Sequence, residues 1–298
     1  MVHLPRDHFA HPAAGIEWWY VTGLVHGRDG HRYTVFFTLF RRGSLVLPVS
    51  QVVDLDRDLV VGHSERGGVA AIGSARLDVA AAGARLAYEP RVDTWRFSAT
   101  GPGYALAFSA RPEKPYVLHG GGTGVIRQSP AGASAYYSAT RMAAHGTIAV
   151  GARTIAFSGT AWLDHQWGSF ENDPRAFNWD WFSCRFADRT ELMLYRFRDR
   201  RTGAPLAPYR NGTFVRRDGR TSSIRSFTAA PSRPLRAAGR SWPLDWRLRV
   251  PALGLDVRLR SLARHQLFHG VLVPTFWEGA AAATGTKRGD CFVEETYR

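Results

Sequence analysis

The chain has 298 residues (33.1 kDa), 45% of them hydrophobic and 21% charged, a balance that excludes a largely disordered protein. No stretch approaches the ~20 apolar residues of a membrane-spanning helix, and Met1–His8 lacks a signal's apolar core, so a cytoplasmic location without stable membrane insertion is expected. The net charge of +14 is nearly all arginine, 37 of 39 basic residues, with no run of five like charges, so no nucleic-acid partner is expected.

Taken in chain order, the signals are those of strands. Trp18–Thr22, Arg32–Phe40, Thr94–Ser98 and Tyr104–Phe108 are short, aromatic and β-branched, bounded by Gly, Pro or Asp. Asp180–Phe186, Glu191–Phe197, Trp246–Val250 and Leu255–Leu259 repeat the style, with turn chemistry at Arg28-Asp29-Gly30, Arg217-Asp218-Gly219 and Ala252-Leu253-Gly254. The arginine clusters Arg198–Arg201 and Arg216–Arg220 read as hairpin tips, and the Pro-, Ser- and Arg-rich span 225–240 as a long loop. No segment keeps a helical apolar period over three turns, and the spacing suggests a sandwich or barrel. Glu17-Trp18-Trp19-Tyr20 is echoed by Trp179-Asp180-Trp181-Phe182, each followed by a turn, an apolar strand and an arginine. Aligning Trp19 with Trp181 predicts two similar β units, 1–173 and 174–298, joined at Glu171–Arg175.

Several chemistries are missing. Gly62-His63-Ser64-Glu65-Arg66 fails the last glycine of a nucleophile elbow, and His119-Gly120-Gly121-Gly122, which resembles a lipase oxyanion loop, follows it rather than precedes it. The same glycines lack the Lys-Ser/Thr of a phosphate loop. Cys184 and Cys291 belong to no CxxC pair; buried free thiols are expected, with a single long-range disulfide as the alternative. His265 and His269 would share one face of a strand, but no third ligand stands near, so no metal site is expected.

The densest chemistry lies in Gly159–Gly168. Period-two geometry puts Trp162, Asp164 and Gln166 on one face and Leu163, His165 and Trp167 on the other. An Asp among large apolar neighbours is unusual in a strand; in an apolar cavity desolvation raises its pKa and keeps a proton available. Such an acid suits protonation of an alkene or enol, with aromatic faces stabilising the cation. The competing reading is a structural Asp paired with backbone or arginine. Glu17 and Glu278 are further carboxylates beside aromatic runs, readable as acid/base groups or as arginine partners. Tyr136-Tyr137-Ser138 and Arg141 could supply hydroxyl and guanidinium groups.

These residues carry a resemblance. Pro5-Arg6-Asp7 with His11, Glu17–Gly23, Val117-Leu118-His119-Gly120, Tyr136-Tyr137-Ser138, Gly159–Gly168, Trp179–Phe182, Glu191–Tyr195, Trp242–Trp246 and Phe276-Trp277-Glu278-Gly279 occur in order along nearly the whole chain. In this the chain resembles the AttH-like and carotenoid hydratase (hydroxyneurosporene synthase) family. The resemblance implies an all-β fold of two lipocalin-like antiparallel β-barrels packed together, with a pocket near their junction. It also implies cofactor-free hydration, cyclisation or isomerisation of a hydrophobic, unsaturated isoprenoid or polyketide-like molecule. The hydratases' Tyr-x-Asp element falls on Trp162 and Asp164, with tryptophan replacing tyrosine, and their upstream His-x-Trp has no match near Ser138–Met142. The resulting site expectation makes Asp164, His165, Glu17 and Tyr137 catalytic. Trp19, Trp162, Trp179, Trp181, Arg141, His119 and Glu278 would contact the substrate. No metal, no cofactor and a hydrophobic small-molecule partner complete it. The rivals are a lipophilic-ligand carrier, an arginine-mediated nucleic-acid binder, and a hydrolase in which Asp164 and His165 together activate water.

Overall fold

The computed structural model describes residues 1–127, 132–169, 176–199 and 201–296. The described residues form antiparallel strands, with single 3-10 turns at Arg6–His8, Pro90–Val92 and Pro251–Leu253 and no α-helix. The chain divides into two compact units. One is built mainly of Met1–Leu118 and Ala131–Phe170, the other of Glu171–Arg298 together with His119–Gly122. The expected junction, 171–175, lies outside the described residues.

Each unit is an up-and-down meander whose first strand also pairs with its last. In the first unit, Ile16–Gly27 pairs with Arg32–Arg42, which leads to Leu45–Asp54 and Leu59–Glu65. On its other side it pairs with the last strand, Arg153–Gly168, followed by Ala133–Val150, Tyr104–Pro112, Thr94–Gly101, Ala84–Glu89 and Asp78–Ala81. First-to-last pairing curls the sheet upon itself and leaves one seam in its hydrogen-bonded order, between Leu59–Glu65 and Asp78–Ala81. Leu59–Glu65 lies close over Tyr104: a Cβ on Gly62 would stand 2.2 Å from that ring, so glycine permits the approach.

The second unit repeats the order. Ala176–Phe186 sits between Glu191–Asp199 and the last strand, Gly289–Thr296, and the path ends at Thr221–Ile224 on one side and Thr228–Ala237 on the other. Alternate residues fill each interior. Trp19, Val21, Phe37, Leu39 and Leu163 belong to the first core; Phe182, Cys184, Leu194 and Val293 belong to the second. This alternation is the period-two reading of the sequence realised in three dimensions.

Four expectations are corrected. The span 225–240 is not a loop: Thr228–Ala237 is a strand at the end of the sheet path, where Pro231 and Pro234 are tolerated because one edge needs no ladder donors. The cysteines are not free thiols: Cys184 and Cys291 face each other in register and form a disulfide. A disulfide persists in oxidising compartments, which runs against the cytoplasmic expectation. Arg198 is not at a hairpin tip but 7% exposed, against Asp180. His265 and His269 flank the two-residue strand Leu267–Phe268 rather than sharing a strand.

The internal echo also shifts by one residue. Glu17 and Asp180 both face inward and both bind the arginine opposite them on the next strand, Arg41 and Arg196. Glu17 therefore corresponds to Asp180, and Trp19 to the core residue Phe182 rather than to Trp181. A one-residue slip in a strand exchanges the two faces.

Candidate active site

Asp164 sits on the strand Arg153–Gly168, directly across from Tyr20 on one side and Ser138 on the other. Alternation turns it away from the first unit's core, onto a face shared with Trp18, Tyr20, Phe36 and Trp162. That face is buried all the same: Asp164 is 4% exposed, Tyr20 6% and Trp162 fully buried. Rings meet on it, with Tyr20 against Phe36 at 5.5 Å and Trp18 against Phe40 at 6.3 Å.

Three neutral donors hold the carboxyl. Tyr136 Oη donates to Oδ2 at 2.7 Å, Trp162 Nε1 donates to Oδ1 at 2.6 Å, and Ser138 Oγ donates to Oδ1. Among the described residues no cationic side chain pairs with it. Desolvation dominates over the three donors and pushes the carboxyl up to about 6. An indole N–H can only donate, so Oδ1 is an acceptor in either protonation state. Oδ1 takes two donors and Oδ2 one, which leaves Oδ2, beside the Tyr136 hydroxyl, as the oxygen with more room for the acidic proton.

The remaining sequence-predicted residues of this unit divide between the two faces. His165, Glu17, Tyr137 and Trp19 point the other way, into the core. There Glu17 Oε1 accepts from His11 Nδ1 at 2.8 Å and His165 Nε2 at 2.9 Å, while Arg41 Nε donates to Oε2 at 2.8 Å. Burial alone would raise Glu17, but the bonds from His11 and His165 outweigh it and hold its carboxyl near 2. Burial lowers His165, so its ring is neutral and donates through Nε2 to Glu17. Its Nδ1 faces Tyr137 Oη at 3.1 Å, and the same hydroxyl meets His8 Nδ1 at 2.8 Å. His8 lies in a box of Tyr88, Trp95, Tyr116 and Tyr137, with ring centroids 4.5–5.5 Å away. Burial depresses it to about 3. Asp164 and His165 are thus chain neighbours on opposite sides of a sheet, and joint activation of one water by both is ruled out by direction.

Arg141 lies at a bulge, with Thr140, opposite Trp162. His119, Trp179, Trp181 and Glu278 belong to the second unit. There His119 Nδ1 meets Thr213 Oγ1 at 2.8 Å, and Trp179 Nε1 donates to Glu294 Oε1 at 2.7 Å. Of Tyr136-Tyr137-Ser138, offered together as hydroxyl donors, the expected catalytic set kept Tyr137 alone, whereas Tyr136 and Ser138 hold the acid.

Two clusters of described residues have metal-ligand chemistry: His11, Glu17 and His165, and His31, Asp54 and Asp56. In both, arginine already binds the carboxylates: Arg41 on Glu17, and Arg57 and Arg32 on Asp54 and Asp56. A second cation there meets like charge.

Comparison with known proteins fits this architecture. An AttH candidate from Nitrosomonas europaea superposes with a TM-score of 0.89 at 25% identity, covering 99% of this chain and 96% of that one. Kievitone hydratase from Nectria haematococca superposes with a TM-score of 0.83 at 19% identity, covering 100% of this chain and 93% of that one. A third structure, CghA, gives a TM-score of 0.51 at 11% identity, covering 97% and 93%. No curated protein matches the sequence. The family model described as AttH-like spans residues 1–296, so the chain belongs to the AttH-like family.

Proposed function

We propose that this protein is a cofactor-independent lyase or isomerase of the hydratase or cyclase type. It acts on a hydrophobic, unsaturated small molecule of isoprenoid or polyketide-like character. The observation that carries the reading is Asp164, a carboxyl buried among aromatic rings, bound by three neutral donors and by no described cation. A structural carboxylate in an arginine-rich chain pairs with arginine, as Glu17 and Asp180 do. Asp164 does not, and burial lifts its carboxyl to about 6, which brings proton donation within reach near neutral pH.

In the hydration form, Oδ2 delivers its proton to one alkene carbon and the new C–H bond leaves a cation on the other. The faces of Trp162 and Tyr20 stabilise that cation. Water adds, and its surplus proton returns to Asp164, so the enzyme ends as it began. In cyclisation an internal double bond attacks in place of the water, and the cation this leaves gives a C–H proton back to Asp164 as a new double bond forms. The superposition on a hydratase supports the same reading.

The test incubates the protein with prenylated and polyene compounds in ¹⁸O-water and reads product mass. Asp164→Asn is expected to lower turnover by at least about a hundredfold with the circular dichroism unchanged. Full activity in that variant overturns the assignment. A carbonyl-shift titration placing Asp164 near 4 favours a ligand carrier instead.

A further inference from the structure

Asp164 shares its sheet face with three hydroxyls that the fold does not use. Thr22 lies beside Trp162 in register and is fully buried. Thr38 lies beside Tyr20, itself beside Asp164, and is 1% exposed. Thr140, also 1% exposed, stands in the bulge opposite Trp162. The Oγ of each is buried and has no hydrogen-bond partner among the described residues. Two other hydroxyls of this face behave differently: those of Ser138 and Tyr136 are spent on Asp164.

Buried polar atoms are nearly always paired, and valine fills the space of threonine without the polar atom. Three unpaired hydroxyls around one buried acid therefore call for a ligand. Strands about 4.8 Å apart and alternate residues about 6.8 Å apart place Thr22 and Thr140 roughly 8 Å from Asp164 and Thr38 roughly 10 Å from it. That is the span of a small fused-ring molecule.

We propose that Thr22, Thr38 and Thr140 bind oxygen atoms of the substrate. The substrate class is then an unsaturated molecule carrying hydroxyl or carbonyl groups within about 10 Å of the carbon that Asp164 protonates, not a hydrocarbon polyene. A hydrocarbon would seal three hydroxyls away from any partner. An oxygenated molecule pairs them, and sites built on such pairs discriminate strongly against the analogue that lacks the oxygen. The proposal rests on the reading of Asp164 as the acid of this site, but its own readout is binding, and turnover enters only to judge the acid.

The experiment uses the full chain with Thr22→Val, Thr38→Val and Thr140→Val, singly and combined. Melting temperature is measured first, then binding of naphthalene and of 2,7-dihydroxynaphthalene by tryptophan fluorescence. The valine variants are expected to melt no lower than the parent, because no bond is lost. The diol is expected to bind the parent at least about tenfold tighter than naphthalene, and the triple variant to bring the two within about threefold. A clear fall in melting temperature in every variant shows that the hydroxyls are structural and overturns the proposal. So does the absence of a diol preference in the parent, including no binding of either compound. Repeating the binding in Asp164→Asn separates the two claims. A preference that persists there while that variant retains full turnover sinks the acid and leaves the hydroxyl site standing.

Discussion

The two units share a strand order and differ in what they place on equivalent positions. Both hold a carboxylate on the inner face of the first strand, with an arginine opposite: Glu17 with Arg41, Asp180 with Arg196. In the first unit that carboxylate goes on to bind His11 and His165, beyond which stand Tyr137 and His8. In the second it binds another arginine, Arg198, beside Glu295, which accepts from Trp246 at 2.9 Å. The position of Asp164 is taken in the second unit by Phe292, whose ring lies 5.8 Å from the Arg185 guanidinium. The duplicated scaffold thus keeps its inner ion pair in both copies, while the carboxyl free of cations occurs in one. The ion pair belongs to the architecture, and the proposed chemistry to the first unit.

The largest expected contrast is catalytic. Asp164→Asn should lose turnover by about a hundredfold, while Phe292→Leu, at the matching place, should leave it unchanged. Comparable loss in both variants breaks the asymmetry. Next come the shared ion pairs: Arg41→Met and Arg196→Met each remove one partner from a buried carboxylate that keeps others, and should each cost about 1.5–3 kcal/mol in urea titrations. Equal costs confirm an architectural role for both.

Acid should then separate the units. His8 has a folded-state pKa of about 3 against 6.5 unfolded, with His165, Asp7 and the tyrosines of its box facing it. The unfolded chain binds the extra proton between those values, so stability from neutral His8 is present above about 6.5 and is lost as pH falls toward 3. Hydrogen exchange at pH 4 should open the strands around His8 before those around Asp180, and His8→Phe should narrow the gap. Opening in the reverse order contradicts the account. Asp164 has the opposite sign: its raised pKa favours folding below about 4, and that contribution is lost as pH rises through about 6. The smallest effect expected is that of Trp162→Phe. It removes one donor that favours the ionised carboxyl, so activity should persist to a pH higher by a fraction of a unit, read from the profile of kcat/KM.

The strands, the doubling and the two faces of Gly159–Gly168 were legible because period-two alternation is local. The partners of Asp164 were not. Counting back from the turn at Gly151 and Ala152 sets Ala139 opposite Asp164, but the bulge at Thr140 and Arg141 shifts the pairing to Ser138. That one residue decides whether Tyr136 and Ser138, or Tyr137, share the face of Asp164. The same sensitivity put Trp19 against Trp181. Glu17 was read as a second acid because its partners lie 24 and 148 residues away, beyond any local pattern. Thr228–Ala237 was missed because proline at a sheet margin looks the same in sequence as proline in a loop.

The bulge has one more consequence. It sets the phase between two long neighbouring strands: deleting one of Thr140 and Arg141 would smooth the bulge and keep Ser138 opposite Asp164, whereas deleting both would rotate the side chains before it through the sheet. Tyr137 would then stand where Ser138 stands, within reach of the acid, and the histidines would lose their tyrosine. Length in that hairpin is as much a part of the candidate site as any side chain in it.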